Sequence, residues 1–373
     1  MQLCEIDSPS RREKGVSDYL RRTFDQLGAV SIIEDLSAAQ TGSDCGNLII
    51  SIPGNSRNKA DQETIFFACH MDTVEPGCGV EVVQKGDIFT SRGDTVLGSD
   101  DKSGIAALIE LIRILRENKI DHGPIELLFT TCEEIGLLGA KALDCARLTS
   151  QYGYALDSTG IDRIITGAPA ANKLKIEVHG IAAHAGLHPE QGISALCLTA
   201  SAIAKLRLGR IDEESTANFG LIHGGVATNI IPDHITIEGE VRSHSLQKLA
   251  AHTEEIKQTF QQVVEGWPLP LASGKQDAAE PSVTINIQLE YPAMRLEMHD
   301  PVLARVKQAG MNLGRNLEFQ IAGGGSDANI LNSFGLPTAI IATGMDKVHT
   351  TDECLDLKDL IRLTELLFAI VAA

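Results

Sequence analysis

The sequence has few aromatic residues, few positive charges and no long apolar run. Aromatic residues make up 4% of the 373 residues, and Trp occurs once. Lys and Arg number 32 against 50 Asp and Glu, which gives a formal net charge of -18. Nucleic acids and anionic membranes are bound by basic surfaces, so we expect neither as a partner. A small-molecule or peptide substrate fits this acidic chain better.

Signals for export, membrane insertion and disulfide bonding are also absent. No apolar run approaches the roughly 20 residues that span a bilayer. Met1 is followed by Cys4, Glu5 and Asp7 rather than by a basic and apolar leader, so we predict a cytoplasmic protein. The eight cysteines are scattered and include no Cys-x-x-Cys pair. That spacing favours reduced thiols over disulfides or a structural zinc site.

The chain contains enough apolar residues to form a large core. Its length favours two domains over one. Hydrophobic residues make up 43% of the chain. The two ends of the chain show an alternation of strand-like and helix-like patterns that is typical of an α/β domain. The predicted helices cover Ser10 to Leu27, Ser103 to Asn118 and Leu357 to Val371, and the predicted strands cover Asn47 to Ile52, Thr64 to Ala68, Ile125 to Thr131, Tyr152 to Leu156 and Pro337 to Thr343.

The middle of the chain has a different pattern. Between residues 169 and 294 the predicted elements follow the order βαββαβ, which is typical of a ferredoxin-like α+β sandwich. We therefore predict a catalytic domain formed by residues 1–168 and 295–373, with residues 169–294 inserted as a second domain. The polar stretch from Pro268 to Pro281 is predicted to be a loop within the insertion.

Residues that bind metals cluster where the predicted strands end. His70, Glu133, Glu134 and Asp157 each follow a strand directly, and His349 lies a few residues beyond another. In open α/β sheets, functional groups collect outside the carboxyl ends of the strands. Asp100 instead precedes a helix, whose N-terminal dipole favours an anion there.

Histidine and carboxylate ligands without thiolates suit catalytic zinc, and cobalt or manganese can also occupy such sites. Two ions about 3.5 to 4 Å apart need a shared oxygen ligand. We predict that Asp100 bridges two divalent ions. His70 and Asp157 would complete one site, and Glu134 and His349 the other.

The Glu133-Glu134 pair permits a division of labour. If Glu134 binds a metal, Glu133 can act as general base towards the metal-bound water and then return the proton to the leaving amine. Asp72, two residues beyond His70, is placed to accept the other imidazole N–H and fix its tautomer.

Each of these residues also has an ordinary structural interpretation. A histidine after a strand is commonly a packed loop residue, and adjacent acids commonly sit at solvated helix starts. Asp157 taken alone is typical of a turn or a cap. The coincidence of five such residues at strand ends favours a metal centre.

Four motifs, in chain order, resemble the signatures of the co-catalytic zinc exopeptidases, the family that includes peptidase T, carboxypeptidase G and succinyl-diaminopimelate desuccinylase. They are His70-Met71-Asp72-Thr73, residues 97–104 (LGSDDKSG), residues 132–136 (CEEIG) and Asp157-Ser158. Residues 224–232 (GGVATNIIP) and 323–327 (GGGSD) resemble the peptidase T-like branch.

The resemblance implies a phosphorylase/hydrolase-like catalytic domain with a mixed sheet, and an inserted lid domain through which the chain forms a homodimer. It implies the same five metal ligands and the same base. It further implies that His184 stabilises the tetrahedral oxyanion, in its own or the partner subunit. Asn229, Arg242, Gly324 and Ser326 are implied to contact substrate, the arginine being suited to a peptide carboxylate.

The predicted function is removal of N-terminal residues from short peptides, as in a tripeptide aminopeptidase, by a hydroxide held between two zinc ions. An N-acyl or N-carbamoyl amidohydrolase is the closer alternative, because the same centre cleaves any suitably held amide. A non-catalytic metal-binding or peptide-binding protein is the alternative from another class, and the presence of Glu133 argues against it.

Overall fold

The computed structural model describes residues 1–55, 63–269 and 280–372. The chain divides into two compact units, one formed by Met1–Ala168 with Met294–Ala373 and the other by Pro169–Ala293. The second boundary lies one residue before the one expected from sequence. Most of the predicted loop from Pro268 to Pro281, residues 270–279, lies outside the described residues. Within the described ranges, no helix is long and apolar enough to cross a membrane.

The first unit is an α/β structure whose elements come from both ends of the chain. Its helices are α1 (Lys14–Gln26), α2 (Ala38–Thr41), α3 (Ser99–Glu117), α4 (Leu138–Lys141), α7 (Pro301–Asn312), α8 (Asp327–Ser333) and α9 (Leu357–Val371). Its strands are β1 (Ser31–Glu34), β2 (Leu48–Ile52), β3 (Ile65–His70), β4 (Val82–Lys85), β5 (Ile88–Ser91), β6 (Ile125–Thr130), β7 (Tyr152–Ala155), β8 (Arg163–Ala168), β14 (Met294–Arg295), β15 (Glu318–Ile321), β16 (Thr338–Ile341), β17 (Met345–Asp346) and β18 (Cys354–Asp356).

The main sheet of this unit is mixed, as predicted. Its strand order is β1-β2-β6-β3-β7-β16-β8-β14, with β15 paired to β8. The four central strands β6, β3, β7 and β16 run parallel to one another. Their carboxyl ends therefore lie along one edge of the sheet. A second, antiparallel sheet has the order β17-β18-β5-β4.

Helices cover the main sheet because their apolar residues recur at helical spacing. In α3 the buried residues include Ile105, Leu108, Ile112 and Leu115, which share one face. They belong to a large core that also contains residues of α1, α7, α9 and the central strands. A smaller core contains Ala328 and Leu331 of α8 together with residues of the same strands.

The second unit has the predicted ferredoxin-like order with one additional short strand. Its elements are β9 (Ala170–His179), α5 (Ala195–Ile203), β10 (Gly209–Arg210), β11 (Ser215–Gly224), β12 (His234–Ser243), α6 (Leu246–Glu265) and β13 (Ser282–Tyr291). They form an antiparallel sheet in the order β10-β11-β12-β9-β13. Residues of α5 and α6, among them Leu198 and Phe260, pack with the inward residues of the sheet into a separate core.

Several elements differ from the sequence-based prediction. The first helix begins at Lys14 rather than at Ser10. Strand β3 continues through His70, so this residue ends the strand instead of following it. Helix α7 and the short strands β1, β4, β5, β8 and β15 were not predicted. Strands of four to six residues carry little periodic signal, which explains most of these omissions. All eight cysteines are free.

Candidate metal centre

The predicted ligands lie at the carboxyl ends of the four central parallel strands. His70 ends β3, and Glu134 follows β6 by four residues, at the start of a turn closed by hydrogen bonds to Glu133 O. Asp157 follows β7 by two residues, and His349 lies in the turn between β17 and β18, after β16. Parallel strands bring their carboxyl ends to one edge, so residues distant in sequence become neighbours.

Asp100 lies between the two histidines. Its Oδ1 is 3.0 Å from His70 Nε2, and its Oδ2 is 3.3 Å from His349 Nε2. Residue 100 is formally in α3 but has φ -82° and ψ 106°, so the regular helix starts after it. Each carboxylate oxygen of Asp100 faces a different imidazole. The Asp100-Asp101 peptide bond is cis.

The structure brings these residues together into two groups that share Asp100. His70, Asp100 and Asp157 form one, and Asp100, Glu134 and His349 form the other; within each group the ligand atoms lie within 4.8 Å of one another. His349 Nε2 is 3.2 Å from Glu134 Oε2. The donors are imidazoles and carboxylates, which suit a divalent transition metal. Glu134 Oε1 is buried and has no hydrogen-bond partner among the described residues. Buried oxygens are nearly always paired, so this atom fits the role of a metal ligand.

His70 has its tautomer set by a main-chain oxygen. Its Nδ1 lies 2.9 Å from the Asp72 carbonyl oxygen and 3.5 Å from the Asp72 carboxylate. A carbonyl oxygen can only accept, so Nδ1 carries a proton. Nε2 faces Asp100 Oδ1, to which it donates a hydrogen bond, and it is the ring nitrogen left to bind a metal once that proton is released. Sequence reasoning assigned this hydrogen bond to the Asp72 side chain, whereas the closer acceptor is the main chain of the same residue.

The Asp72 carboxylate instead orients the Glu133-Glu134 turn. Its Oδ1 accepts the main-chain N–H of Glu133 at 3.0 Å, and its Oδ2 accepts that of Glu134 at 3.2 Å. Ser10 Oγ donates to the same Oδ2 at 2.6 Å. Burial would raise the pKa of Asp72, but the nearby His70 and these donors outweigh it and lower the pKa. Asp72 therefore links the ends of β3 and β6 as a carboxylate.

Glu353 supports the Asp100 loop, and sequence reasoning missed it. This residue is buried, and Oε1 accepts from Ser99 Oγ at 2.6 Å and from Asp100 N at 3.1 Å. Oε2 accepts from Gly98 N at 2.8 Å. Gly98 has φ 71°, a left-handed conformation that glycine adopts at little cost. The only sequence signal for Glu353 is its position just before β18, four residues after His349.

Two further buried carboxylates near the turn after β6 were also missed. Glu13 accepts the main-chain N–H of Cys132 at 2.9 Å and the hydroxyl of Ser43 at 2.5 Å. Asp327, at the start of α8, accepts from Thr130 Oγ1 at 2.5 Å. Burial raises the pKa of Asp327 to about 6 against the lowering effect of that hydrogen bond. Glu13 stands beside no local pattern that distinguishes it from a solvated helix-start residue. Asp327 ends the 323–327 motif (GGGSD), but the resemblance gave this residue no role.

The pKa values of the central groups reflect crowded negative charge. Burial, followed by the neighbouring Asp100 carboxylate, raises the pKa of Asp157 to about 7. Burial likewise raises the pKa of Glu133 well above its ordinary value. Hydrogen bonds to Asp100 and Glu134 raise the pKa of His349 to about 10. For Asp100, burial acts upwards, but the hydrogen bonds from His349 and His70 outweigh it and lower the pKa.

The remaining predicted residues have local roles of their own. Ser326 is buried and caps α8, where its Oγ accepts from Ala328 N, so its contact with substrate stays a prediction, as does that of Gly324. In the second unit, His184 is exposed, and its Nδ1 accepts from Gly186 N and Leu187 N at 3.2 Å.

Asn229 and Arg242 also lie in the second unit. The Asn229 carbonyl accepts from Ala185 N at 2.9 Å, which ties residue 229 to the loop of His184. Arg242 is paired with Glu240 at 2.9 Å. Their predicted contacts with substrate also stay predictions.

Known proteins resemble the chain over its whole length. The model of "Peptidase family M20/M25/M40" matches residues 66–373. The uncharacterized protein YqjE of Bacillus subtilis is 40% identical, over 100% of this chain and 96% of its own length. A solved structure of aminopeptidase PepT from Bacillus cereus is 39% identical with a TM-score of 0.87, covering 100% of this chain and 96% of that one. A tripeptidase structure from Staphylococcus aureus is 31% identical with a TM-score of 0.91, covering 100% and 95%.

Proposed function

Since the chain belongs to peptidase family M20/M25/M40 and is a metallo-exopeptidase, we propose that it removes the N-terminal residue from short peptides, tripeptides above all. Two relatives that are described as an aminopeptidase and a tripeptidase support this substrate class. Both are more than 30% identical over the full chain.

The observation that carries the proposal is the placement of the Asp100 carboxylate between two imidazoles, one facing each oxygen. Two divalent ions, zinc being the first choice and cobalt or manganese alternatives, would both be held by Asp100 in the proposed arrangement. His70 and Asp157 would complete one site, and Glu134 and His349 would complete the other. When bound, the ions would polarise the scissile carbonyl and make a water molecule acidic near neutral pH.

Glu133 is proposed to move the proton. It precedes Glu134 at a turn whose main chain donates to the Asp72 carboxylate. A carboxylate oxygen of Glu133 lies within 4.8 Å of the metal-binding atoms of His70 and Glu134. A carboxylate there takes a proton from the attacking water and gives it to the leaving amine as the C–N bond breaks. Burial raises the pKa of Glu133, which makes it a stronger base than an exposed glutamate.

The inserted unit is proposed to supply the remaining groups. His184 would stabilise the developing oxyanion by donating a hydrogen bond, in its own or the partner subunit of a homodimer. Arg242 presents a guanidinium, which is suited to bidentate binding of a peptide carboxylate, and Asn229 adds an amide next to the loop of His184. Gly324 and Ser326, which belong to the catalytic unit rather than to the inserted one, complete the proposed substrate contacts.

The test is an assay of the purified, metal-loaded protein on free-amine tripeptides, their N-acetylated counterparts and N-carbamoyl amino acids. The expected result is release of the N-terminal residue from the free-amine set, with much slower hydrolysis of the blocked peptides. Preference for the acylated or carbamoylated compounds would overturn the aminopeptidase proposal in favour of an amidohydrolase. Gel filtration with light scattering of the same sample tests the dimer, and an active monomer would contradict it.

A further inference from the structure

A second group of metal-binding side chains lies in the inserted unit, on its own sheet. Glu177 and His179 belong to β9, and His234 begins the neighbouring strand β12. His234 is paired directly with His179 in the antiparallel ladder. Glu177 precedes His179 by two residues, so all three side chains share one sheet face. Their ligand atoms all lie within 4.8 Å of one another.

The main chain beneath this group is firmly held. Ile176 and Val178 alternate with the two β9 residues and point into the core of the unit. The ladder between β9 and β12 is continuous over ten residue pairs, from His234 and His179 to Ser243 and Ala170. The three ligands are therefore fixed at their Cα positions and need only side-chain rotation to adjust.

The two imidazoles already face each other. Their ring centroids are 4.7 Å apart, with an angle of 24° between the planes. Tetrahedral zinc, with bonds of about 2.0 to 2.1 Å to nitrogen, needs ligand atoms roughly 3.3 Å apart. The side chains of Glu177 and His179 are half-buried and that of His234 is exposed. Side-chain rotation can therefore bring their ligand atoms, now within 4.8 Å of one another, to the separation that zinc needs. Lys175 Nζ lies 2.9 Å from Glu177 Oε1, and a carboxylate can accept that bond while its other oxygen binds a cation.

We propose that Glu177, His179 and His234 form a binding site for one divalent transition-metal ion, with zinc, nickel and copper as the matching class. Two imidazoles and one carboxylate select such ions over calcium or magnesium, which prefer oxygen alone. Water would complete the coordination sphere.

An ion at this position would cross-link the end of β9 to the start of β12, and a loop adjoins each of these strand ends. His179 is followed by Gly180, whose N–H donates to Asp233 O at 2.8 Å, next to His234. Beyond them, Ile231 N donates to Ala183 O at 2.9 Å. Residues 180–193 and 225–233 thus leave the sheet side by side, and cross-linking their bases would slow their opening.

The experiment uses the full chain with its central sites already loaded with metal and free ions removed by gel filtration. Zn²⁺ and, separately, Ni²⁺ are then titrated in by isothermal calorimetry. The expected result is uptake of one further equivalent per chain. The His234→Gln and Glu177→Gln variants should each bind it at least tenfold more weakly. His299→Gln is the matched control, because His299 is an exposed histidine of the catalytic unit, outside the inserted unit that carries the group.

Hydrogen exchange gives a readout that does not depend on activity. Added Zn²⁺ should slow amide exchange in residues 180–193 and 225–233 of the unaltered chain and of His299→Gln, but not of His234→Gln. The proposal is overturned if no further equivalent binds, or if His234→Gln and Glu177→Gln bind as tightly as the unaltered chain. Peptidase activity is measured in a separate assay. The metal-binding and hydrogen-exchange results can therefore be interpreted even if the protein does not hydrolyse tripeptides.

Discussion

Glu353 holds the main chain of Asp100, whose side chain faces the two histidines: Glu353 Oε1 accepts the main-chain N–H of Asp100 at 3.1 Å. The same carboxylate accepts from Ser99 Oγ and Gly98 N, so three donors of the Asp100 loop converge on one buried group. A carboxylate with this many donors is hard to replace, because any substitute leaves buried N–H groups without an acceptor.

The Glu353→Gln variant should bind the central metals roughly 10- to 100-fold more weakly, the usual cost of losing a group that orients a ligand. The glutamine side chain has one oxygen acceptor, whereas the Glu353 carboxylate uses two oxygens to accept from three donors. The NH₂ group of the glutamine would face a donor and could not accept from it. Metal affinity is measured by competition with a chromogenic chelator. Asp352→Asn is the control, since Asp352 is the exposed neighbour in sequence. Unchanged affinity in Glu353→Gln would show that the Asp100 loop holds its shape unaided.

Glu133→Gln should lose catalytic turnover but keep its metals, whereas Glu134→Gln should lose a metal. Glu133→Gln should retain two metals and lose about 10² to 10⁴ in kcat, because only proton transfer is removed. Glu134→Gln should lose one metal. Elemental analysis and steady-state kinetics of both variants measure these outcomes. Full turnover by a metal-loaded Glu133→Gln or Glu133→Ala variant would show that another group serves as base.

Asp72→Asn should lower kcat by roughly 10- to 100-fold, as for other groups that orient metal ligands. The amide can accept only one of the N–H groups of Glu133 and Glu134, and its own NH₂ group opposes the other. The histidine tautomer should survive, because His70 Nδ1 donates to the Asp72 main-chain oxygen. Kinetics and metal content of the variant are compared with Ser10→Ala, which removes only the hydroxyl donor. An Asp72→Asn enzyme with normal kcat would contradict this role.

The stabilisation that added zinc confers should grow from pH 5 to pH 7.5. In the metal-free protein Asp157 has a pKa of about 7, above its ordinary 3.8, so folding binds a proton there. The contribution of Asp157 to the free energy of unfolding of the metal-free protein therefore falls as pH rises from about 4 to 7. Metal binding needs the deprotonated carboxylate, and His349, with its pKa raised to about 10, must also release its proton.

Differential scanning fluorimetry with chelator and with Zn²⁺ at several pH values checks the expected trend in Tm. In Asp157→Asn the metal-free protein should lose less stability across the same range. A zinc-induced gain in Tm that shrinks as pH rises would contradict the proposed ligand set.

Leu111→Ala should lower the free energy of unfolding of the catalytic unit by about 2 to 5 kcal/mol, because it leaves a cavity beneath α3. Leu111 is fully buried in the main core, whereas Leu36 is 80% exposed. Leu36→Ala is therefore the control and should change stability little. Urea unfolding followed by circular dichroism measures both variants, and an equal small effect in the two would place Leu111 outside the core.

Much of the fold could be predicted from local pattern. Helix α9 has the predicted bounds Leu357–Val371, and the central strands differ from prediction by one or two residues at an end. These elements are long or fully buried, so their hydrophobic periodicity is strong. Short strands such as β1 and β15 escaped prediction, because they are half-exposed and gain their partners only when the sheet forms.

The sequence by itself determined which residue types stand at the strand ends and hence the chemistry of the centre. His70, Asp100, Glu134, Asp157 and His349 were chosen from local pattern and family resemblance. Only the tertiary structure decided that Asp100 faces both histidines and that Glu353 supports its loop. Glu353 lies more than 250 residues from Asp100 in the chain. Contacts at that separation are set by the order of strands in the sheet, which no local pattern encodes.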